Sequence, residues 1–134
     1  MKWKLSILMC LLTTVVLITT FAFRLPNDPW PVPEKYEKMK NPVKSDAESI
    51  ATGKSLWNKH CVSCHGKTGM GDGTKAATLK THPGDFSKPE FKAQSDGAVF
   101  YKTTEGRKDM PSFKKKITDE DDVWSLINYI RTLK

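Results

Sequence analysis

Three cysteines in 134 residues are too few, and too odd in number, for a disulfide framework. They also fall short of a four-cysteine zinc site or iron–sulfur cluster within one chain. Histidine is equally scarce, with three copies. No segment alternates apolar and polar residues for long enough to make a convincing strand, and no internal repeat is present. Acidic residues are the minority, 15 against 22 Lys and Arg, for a net charge of +7. Three of those cations, Lys2, Lys4 and Arg24, flank an apolar run. The remainder carries 19 basic and 15 acidic side chains, or +4, which is no nucleic-acid footprint on charge alone.

What is there begins with that run. Leu5 to Phe23 is 19 residues without a charge, preceded by Lys2 and Lys4 and closed by Arg24. A secretory signal has an apolar stretch of ~7–15 residues, and a spanning helix needs ~18 or more. Residues 1–24 are therefore either a signal peptide or an N-terminal membrane anchor. Ala22, in Thr20-Phe21-Ala22, is a small residue that signal peptidase could cut after. The two lysines favour an amino terminus in the cytoplasm, with the rest of the chain outside it. Cys10 lies inside the run and reads as apolar filler, since Met9 is not the small residue a lipoprotein cysteine requires.

Residues 25–44 read as a Pro-rich linker, with Pro26, Pro29, Pro31, Pro33 and Pro42 and no apolar period. Residues 26–44, extended at ~3.1 Å each, reach at most roughly 60 Å. They form a tether if the anchor is kept. Otherwise they are a strap on the domain, with Trp30 and Tyr36 as contact points.

Residues 45–134 form the domain, and its pattern is all-α. Ser45-Asp46-Ala47-Glu48 reads as a capping box opening a helix over 46–60, with Ile50, Gly53, Leu56 and Trp57 at helical spacing. Gly53 costs a helix about 1 kcal/mol against Ala and so marks a close helix approach. Residues 66–90 read as loop, with a short helix near 75–80. Ser95 and Asp96 cap a helix over 96–105 that Gly106 ends. Thr118-Asp119-Glu120-Asp121 reads as a second box. It opens a helix over 119–133 whose Val123, Trp124, Ile127, Ile130 and Leu133 share one face. The acids of its first turn and Arg131 at its end suit the helix dipole.

One motif carries chemistry. His60-Cys61-Val62-Ser63-Cys64-His65-Gly66 contains C-x-x-C-H. Two thiols three residues apart can add to the two vinyl groups of one haem, and the adjacent His65 then lies beneath the iron. Zinc would need two further ligands, and His60, His65 and His82 do not supply them at finger spacing. A thioredoxin-like redox pair would need strands in a βαβ context. A second axial ligand should come from a distant loop. Met110, in Gly106-Arg107-Lys108-Asp109-Met110-Pro111, lies between two helices, and Pro111 biases its backbone toward extended geometry. Met70 is five residues from His65, too near to reach the opposite face. His82, or no protein ligand at all, stays open as an alternative. Met39 reads as a linker residue.

Taken together, these residues resemble a mono-haem class I cytochrome c of the bacterial type. The resemblance is carried by Gly53-x-x-Leu56, Cys61-x-x-Cys64-His65-Gly66, Gly69-x-Gly71-Asp72-Gly73, Phe100-Tyr101-Lys102, Gly106-Arg107-x-x-Met110-Pro111-x-Phe113 and Trp124-x-x-x-x-Tyr129-Ile130-Arg131. It implies a small all-α domain wrapped around one covalent haem c, with Cys61 and Cys64 as attachment points and His65 and Met110 as axial ligands to iron. It also implies that the first and last helices cross near Gly53 and Tyr129. Relatives often have Pro where Thr74 stands, so the carbonyl that orients His65 is not identified by the pattern.

Gly69, Gly71 and Gly73 match no phosphate loop and read as tight turns at the haem edge. Arg107 reads equally as a propionate partner or an exposed cation. Lys114, Lys115 and Lys116 read as a solvated face, or else as a docking patch for an acidic partner. Iron with two protein ligands has no open position, so the expected role is one-electron transfer and not enzymatic turnover of a small-molecule substrate. The expectation is a respiratory-chain carrier on the periplasmic side of a bacterial inner membrane, anchored there or soluble after cleavage. Its partners would be a quinol-oxidising complex and a terminal oxidase or reductase. The alternative is a haem subunit held permanently in a larger membrane oxidoreductase.

Overall fold

The computed structural model describes residues 29–133. The apolar run and Cys10 lie outside them. Among the described residues there is no strand, only an isolated antiparallel bridge between Arg107 and Met110. None of their helices is long and apolar enough to cross a membrane. The helices are α1 (Glu34–Glu37), α2 (Ala47–His60), α3 (Val62–His65), α4 (Pro89–Lys92), α5 (Asp96–Glu105) and α6 (Glu120–Thr132), with a 3-10 turn at Ala76–Thr78. The all-α expectation holds for this part of the chain.

The three long helices start where side chains can take up free amides, but two of the caps sit one residue later than expected. Asp46, not Ser45, is the N-cap of α2. Its carboxylate accepts from Ser49 N at 3.0 Å, while Ser49 Oγ accepts from Asp46 N at 3.2 Å. Asp119, not Thr118, caps α6 and accepts from Asp121 N at 2.9 Å. Asp and Ser or Thr side chains can all accept at an N-cap, so where two stand side by side the pattern leaves the cap uncertain by one residue. Ser95 caps α5 as expected, accepting from Ala98 N at 3.0 Å. Gly106 ends that helix with φ +69°.

Helices α2 and α6 cross at Gly53. A Cβ there would fall on the Ser125 carbonyl oxygen and meet the Tyr129 side chain, so glycine alone allows this approach. The crossing buries Trp57, Val123, Leu126 and Ile127 completely, and Phe100 of α5 stacks on Trp124 at 4.3 Å. Of the residues expected on one face of this helix, Val123, Trp124, Ile127 and Ile130 are buried, while Leu133 lies just past the helix end and is half-buried.

Residues 32–44 are not a free linker. Val32 opens one compact unit, and the residues up to Pro31 fall outside it. From there the chain forms α1 and lies on the helical body as a strap. Tyr36 packs on Tyr101 and Phe100. Asn41 Nδ2 donates to the Trp124 carbonyl at 3.1 Å and to Asn128 Oδ1 at 2.8 Å. The buried Asn128 amide in turn donates to the Val43 carbonyl at 3.2 Å and to Ser49 Oγ at 3.2 Å. The strap thus supplies partners that a buried amide cannot do without.

Candidate functional site

The end of α2 delivers the C-x-x-C-H segment. Cys61 closes that helix with its amide donating to the Trp57 carbonyl at 2.8 Å, and the chain turns at once into α3. His65 N donates to the Cys61 carbonyl at 2.9 Å, so one helical turn carries both thiols and the imidazole. Cys61 and Cys64 are unpaired and partly exposed. Burial, and then the neighbouring Cys64, push the Cys61 thiol up to about 12.

The segment after His65 folds back over this turn. Gly71 N donates to the His65 carbonyl at 2.9 Å, Gly73 N to Cys64 at 3.2 Å and Lys75 N to Ser63 at 2.7 Å. Of the three glycines expected in tight turns, Gly69 and Gly71 have positive φ, as does Gly66; Gly73 does not, and there a Cβ would fall on the Ser63 carbonyl. Phe86 N then donates to the Gly69 carbonyl at 2.8 Å. That brings the Phe86 ring to 4.8 Å from the imidazole of His65, with Trp57 at 5.8 Å. Burial first, and then nearby His82, lower the His65 imidazole to about 4, so it is neutral at physiological pH. A neutral imidazole is the form that ligates a metal.

The Pro83 backbone, which can only accept, faces the His65 ring. The sequence pattern did not identify this carbonyl. No sequence rule points to it, because it lies 18 residues from His65 across an irregular loop. His65 Nδ1 itself is buried and makes no hydrogen bond of standard geometry.

Met110 sits in a tight turn. Arg107 N donates to the Met110 carbonyl at 2.8 Å, Met110 N donates back at 3.0 Å, and Lys108 between them has φ +54°. Ser112 Oγ ties the far side of the turn to the Thr104 carbonyl at 2.5 Å. Met110 is half-buried against the core. Asp109 Oδ2 accepts from Thr81 N at 2.8 Å, which joins this turn to the loop that holds His82 and Pro83. The alternatives look different. Met70 is 49% exposed, and His82 is exposed with its Nδ1 accepting from Gly84 N at 3.0 Å.

Lys114, Lys115 and Lys116 are exposed. Lys114 pairs with Glu105, and Lys116 lies 5.2 Å from the ring centre of Phe113. The arrangement leaves one neutral imidazole with a buried Nδ1, two partly exposed cysteines on the same turn and a thioether in a shaped turn. That donor set suits a covalently attached haem: two sulfurs to bond the macrocycle and soft or neutral axial ligands for iron. No group of three or more His, Cys, Asp or Glu that could hold a bare metal ion occurs among the described residues.

Residues 48–130 match the family model described as cytochrome c oxidase, cbb3-type, subunit III. The chain is 30% identical over 74 residues to a cytochrome c6 of Thermosynechococcus vestitus, covering 55% of this chain and 62% of that protein. It is 30% identical over 71 residues to a cytochrome c6 of Parathermosynechococcus lividus, covering 53% of this chain and 76% of that protein. The chain thus spans under two thirds of the length of the first of these relatives. Among solved structures it resembles a chain of the reducing HAO-like protein complex of Kuenenia stuttgartiensis. The TM-score is 0.63 and the identity 28%, over 81% of this chain and 52% of that one.

Proposed function

The chain belongs to the cytochrome c family whose model is that of cbb3-type oxidase subunit III, and from this premise we propose that it is a one-electron carrier with a single haem c. The observation that carries the reading is the single turn that presents Cys61, Cys64 and a neutral, half-buried His65 together. When bound, the haem supplies reversible Fe(II)/Fe(III) exchange. Cys61 and Cys64 would hold the macrocycle through thioethers. His65, packed against Phe86 and faced by the Pro83 backbone, would supply one ligand to the iron. Met110, held in its turn, would supply the second. The proximity of His82 to His65 supports Met110 over His82, because a second ligand has to come from the opposite face. With His65 and Met110 both as ligands, the iron would keep no position open to a small-molecule substrate.

The carrier works in a respiratory chain on the periplasmic side of a bacterial inner membrane. It passes electrons between a quinol-oxidising complex and a terminal oxidase or reductase. Residues 1–24 serve as the export signal or the anchor. A second reading has its own support: the family model describes an oxidase subunit, and the structural neighbour is part of a complex. In that reading the chain is a fixed haem subunit. Purification in mild detergent separates the two, since a carrier comes away alone and a subunit brings its complex.

The haem assignment is tested on protein made with the haem-attachment machinery. Colour should stay with the polypeptide after acid–acetone extraction, the reduced bands should be sharp, and the iron content should be one per chain. Haem that washes out defeats the thioether assignment.

A further inference from the structure

A groove of about 540 Å³ opens between α4, with the loop before it, and the end of α6. Its walls are apolar: Phe86, Phe91, Ile130 and Leu133. The two charged side chains on it, Lys92 and Arg131, are both cations. Cys61, Cys64, His65 and Met110 are not among the residues that line it, so it is separate from the haem-attachment turn.

The groove is held in shape by contacts beneath it. Phe86 and Phe91 stack with centroids 4.0 Å apart and planes inclined by 6°. Arg131 Nε donates to Asp96 Oδ1 at 2.8 Å, and a terminal nitrogen donates to the Gln94 carbonyl at 2.6 Å. That holds the guanidinium 5.8 Å from the ring centre of Phe91. Lys92 is exposed and makes no ion pair among the described residues. An apolar recess with cations on it, in a domain that is basic as a whole, complements a partner surface that carries carboxylates around an apolar side chain.

Phe86 links this surface to the site. It lines the groove and also packs on the His65 imidazole, with 4.8 Å between centroids. A group seated against Phe86 is one ring away from the residue read as an iron ligand. Electron tunnelling weakens steeply with the gap to be crossed, so a short bridge of touching rings marks a place where exchange is fast.

We propose that this groove is a docking site at which an acidic redox protein exchanges one electron with the iron by way of Phe86 and His65. This rests on the carrier reading given above. One electron moves per encounter: the partner is oxidised as Fe(III) becomes Fe(II), or the reverse, and no bond is made or broken. Lys92 draws in the partner's carboxylates, and the apolar walls take its projecting side chain. Redox encounters are small and brief, burying less than ~1,200 Å², so a groove of this size suffices as their centre.

The test uses the full-chain holoprotein in non-ionic detergent and, as probe, an acidic flavodoxin in its hydroquinone form, which gives up one electron at a time. Lys92→Glu should slow reduction of the haem roughly threefold or more at low salt and by less at high salt. Thr132 also lines the groove and is exposed. Thr132→Trp fills the recess without changing charge, and should slow reduction at either salt. A carbodiimide, which joins a carboxylate to a lysine amine in contact with it, should link flavodoxin to Lys92. A wild-type rate in either groove variant overturns the proposal, and so does cross-linking confined to Lys114, Lys115 and Lys116. A larger loss with Lys115→Glu than with Lys92→Glu would place docking on that other face and overturn it too. If Thr132→Trp splits a dimer of the wild-type chain, the occupant is a second copy and the proposal fails. Protein without covalent low-spin haem would defeat the carrier reading and this inference together. A normal spectrum with unaltered rates in the groove variants would defeat this inference alone.

Discussion

The α2–α6 crossing and the loops around His65 stand next to each other and are built by opposite means. At the crossing, side chains do the work: Trp57, Val123, Leu126 and Ile127 are almost completely buried, and a backbone carbonyl lies where a Cβ of residue 53 would be. Around His65 the backbone does the work. Glycines with positive φ and main-chain hydrogen bonds fold residues 66–86 over the attachment turn, and the site residues themselves are only half-buried. One region is complete as protein. The other is shaped to hold something that protein does not supply. Loss of a side chain should cost stability in the first and cofactor chemistry in the second.

The most drastic way to separate the regions is to remove the attachment points. Cys61→Ala with Cys64→Ala should abolish covalent haem, read as loss of colour on the denatured chain. Trp124→Ala attacks the other region. It removes a 2%-exposed indole stacked on Phe100 and should cost about 3–5 kcal/mol in denaturant unfolding of the holoprotein. A loss below about 1 kcal/mol would mean that the crossing is not the stabilising element assumed here.

Met110→Ala sharpens the contrast. It should keep covalent haem, lose the iron–sulfur band of the oxidised form, gain carbon monoxide binding when reduced and lower the potential. Met70→Ala should change none of these. If the band survives Met110→Ala and vanishes with His82→Ala, the distal assignment fails. Asn41→Ala tests the strap. It removes donors to the Trp124 carbonyl and to Asn128 and should cost about 1–2 kcal/mol without moving the visible spectrum.

The smallest effect concerns the cap of α2. The Ser49 amide holds the Asp46 carboxyl below its usual value of 3.8. A depressed folded-state pKa means stability present above the unfolded value and lost as pH falls through the folded one. Wild type should therefore exceed Asp46→Ala near neutrality, and the gap should narrow below pH 3.8. A gap that is constant with pH would assign the cap's contribution to something other than its charge.

The long helices and their crossing were legible because capping residues, helical spacing and a lone glycine all point the same way in α2 and α6. The attachment turn was legible because its chemistry lies in five consecutive residues. The strap was legible only as one of two options, with Tyr36 as a contact point; Met39 read as linker and Val43 went unnoticed because prolines hid their spacing, yet both pack on the core. Helix α4 was missed although Pro89 occupies its first turn, a known start signal. Pro83 beside His65 and Asp109 bonded to Thr81 were beyond reach, since both depend on how an irregular loop closes in space.

The strap also bears on reach. Its thirteen residues, extended at ~3.1 Å each, would span about 40 Å. That is most of the roughly 60 Å open to residues 26–44 as a fully extended tether, and it is laid against the helices instead. Were residues 1–24 to act as an anchor, a haem domain strapped in this way would give up that length of its range from the membrane.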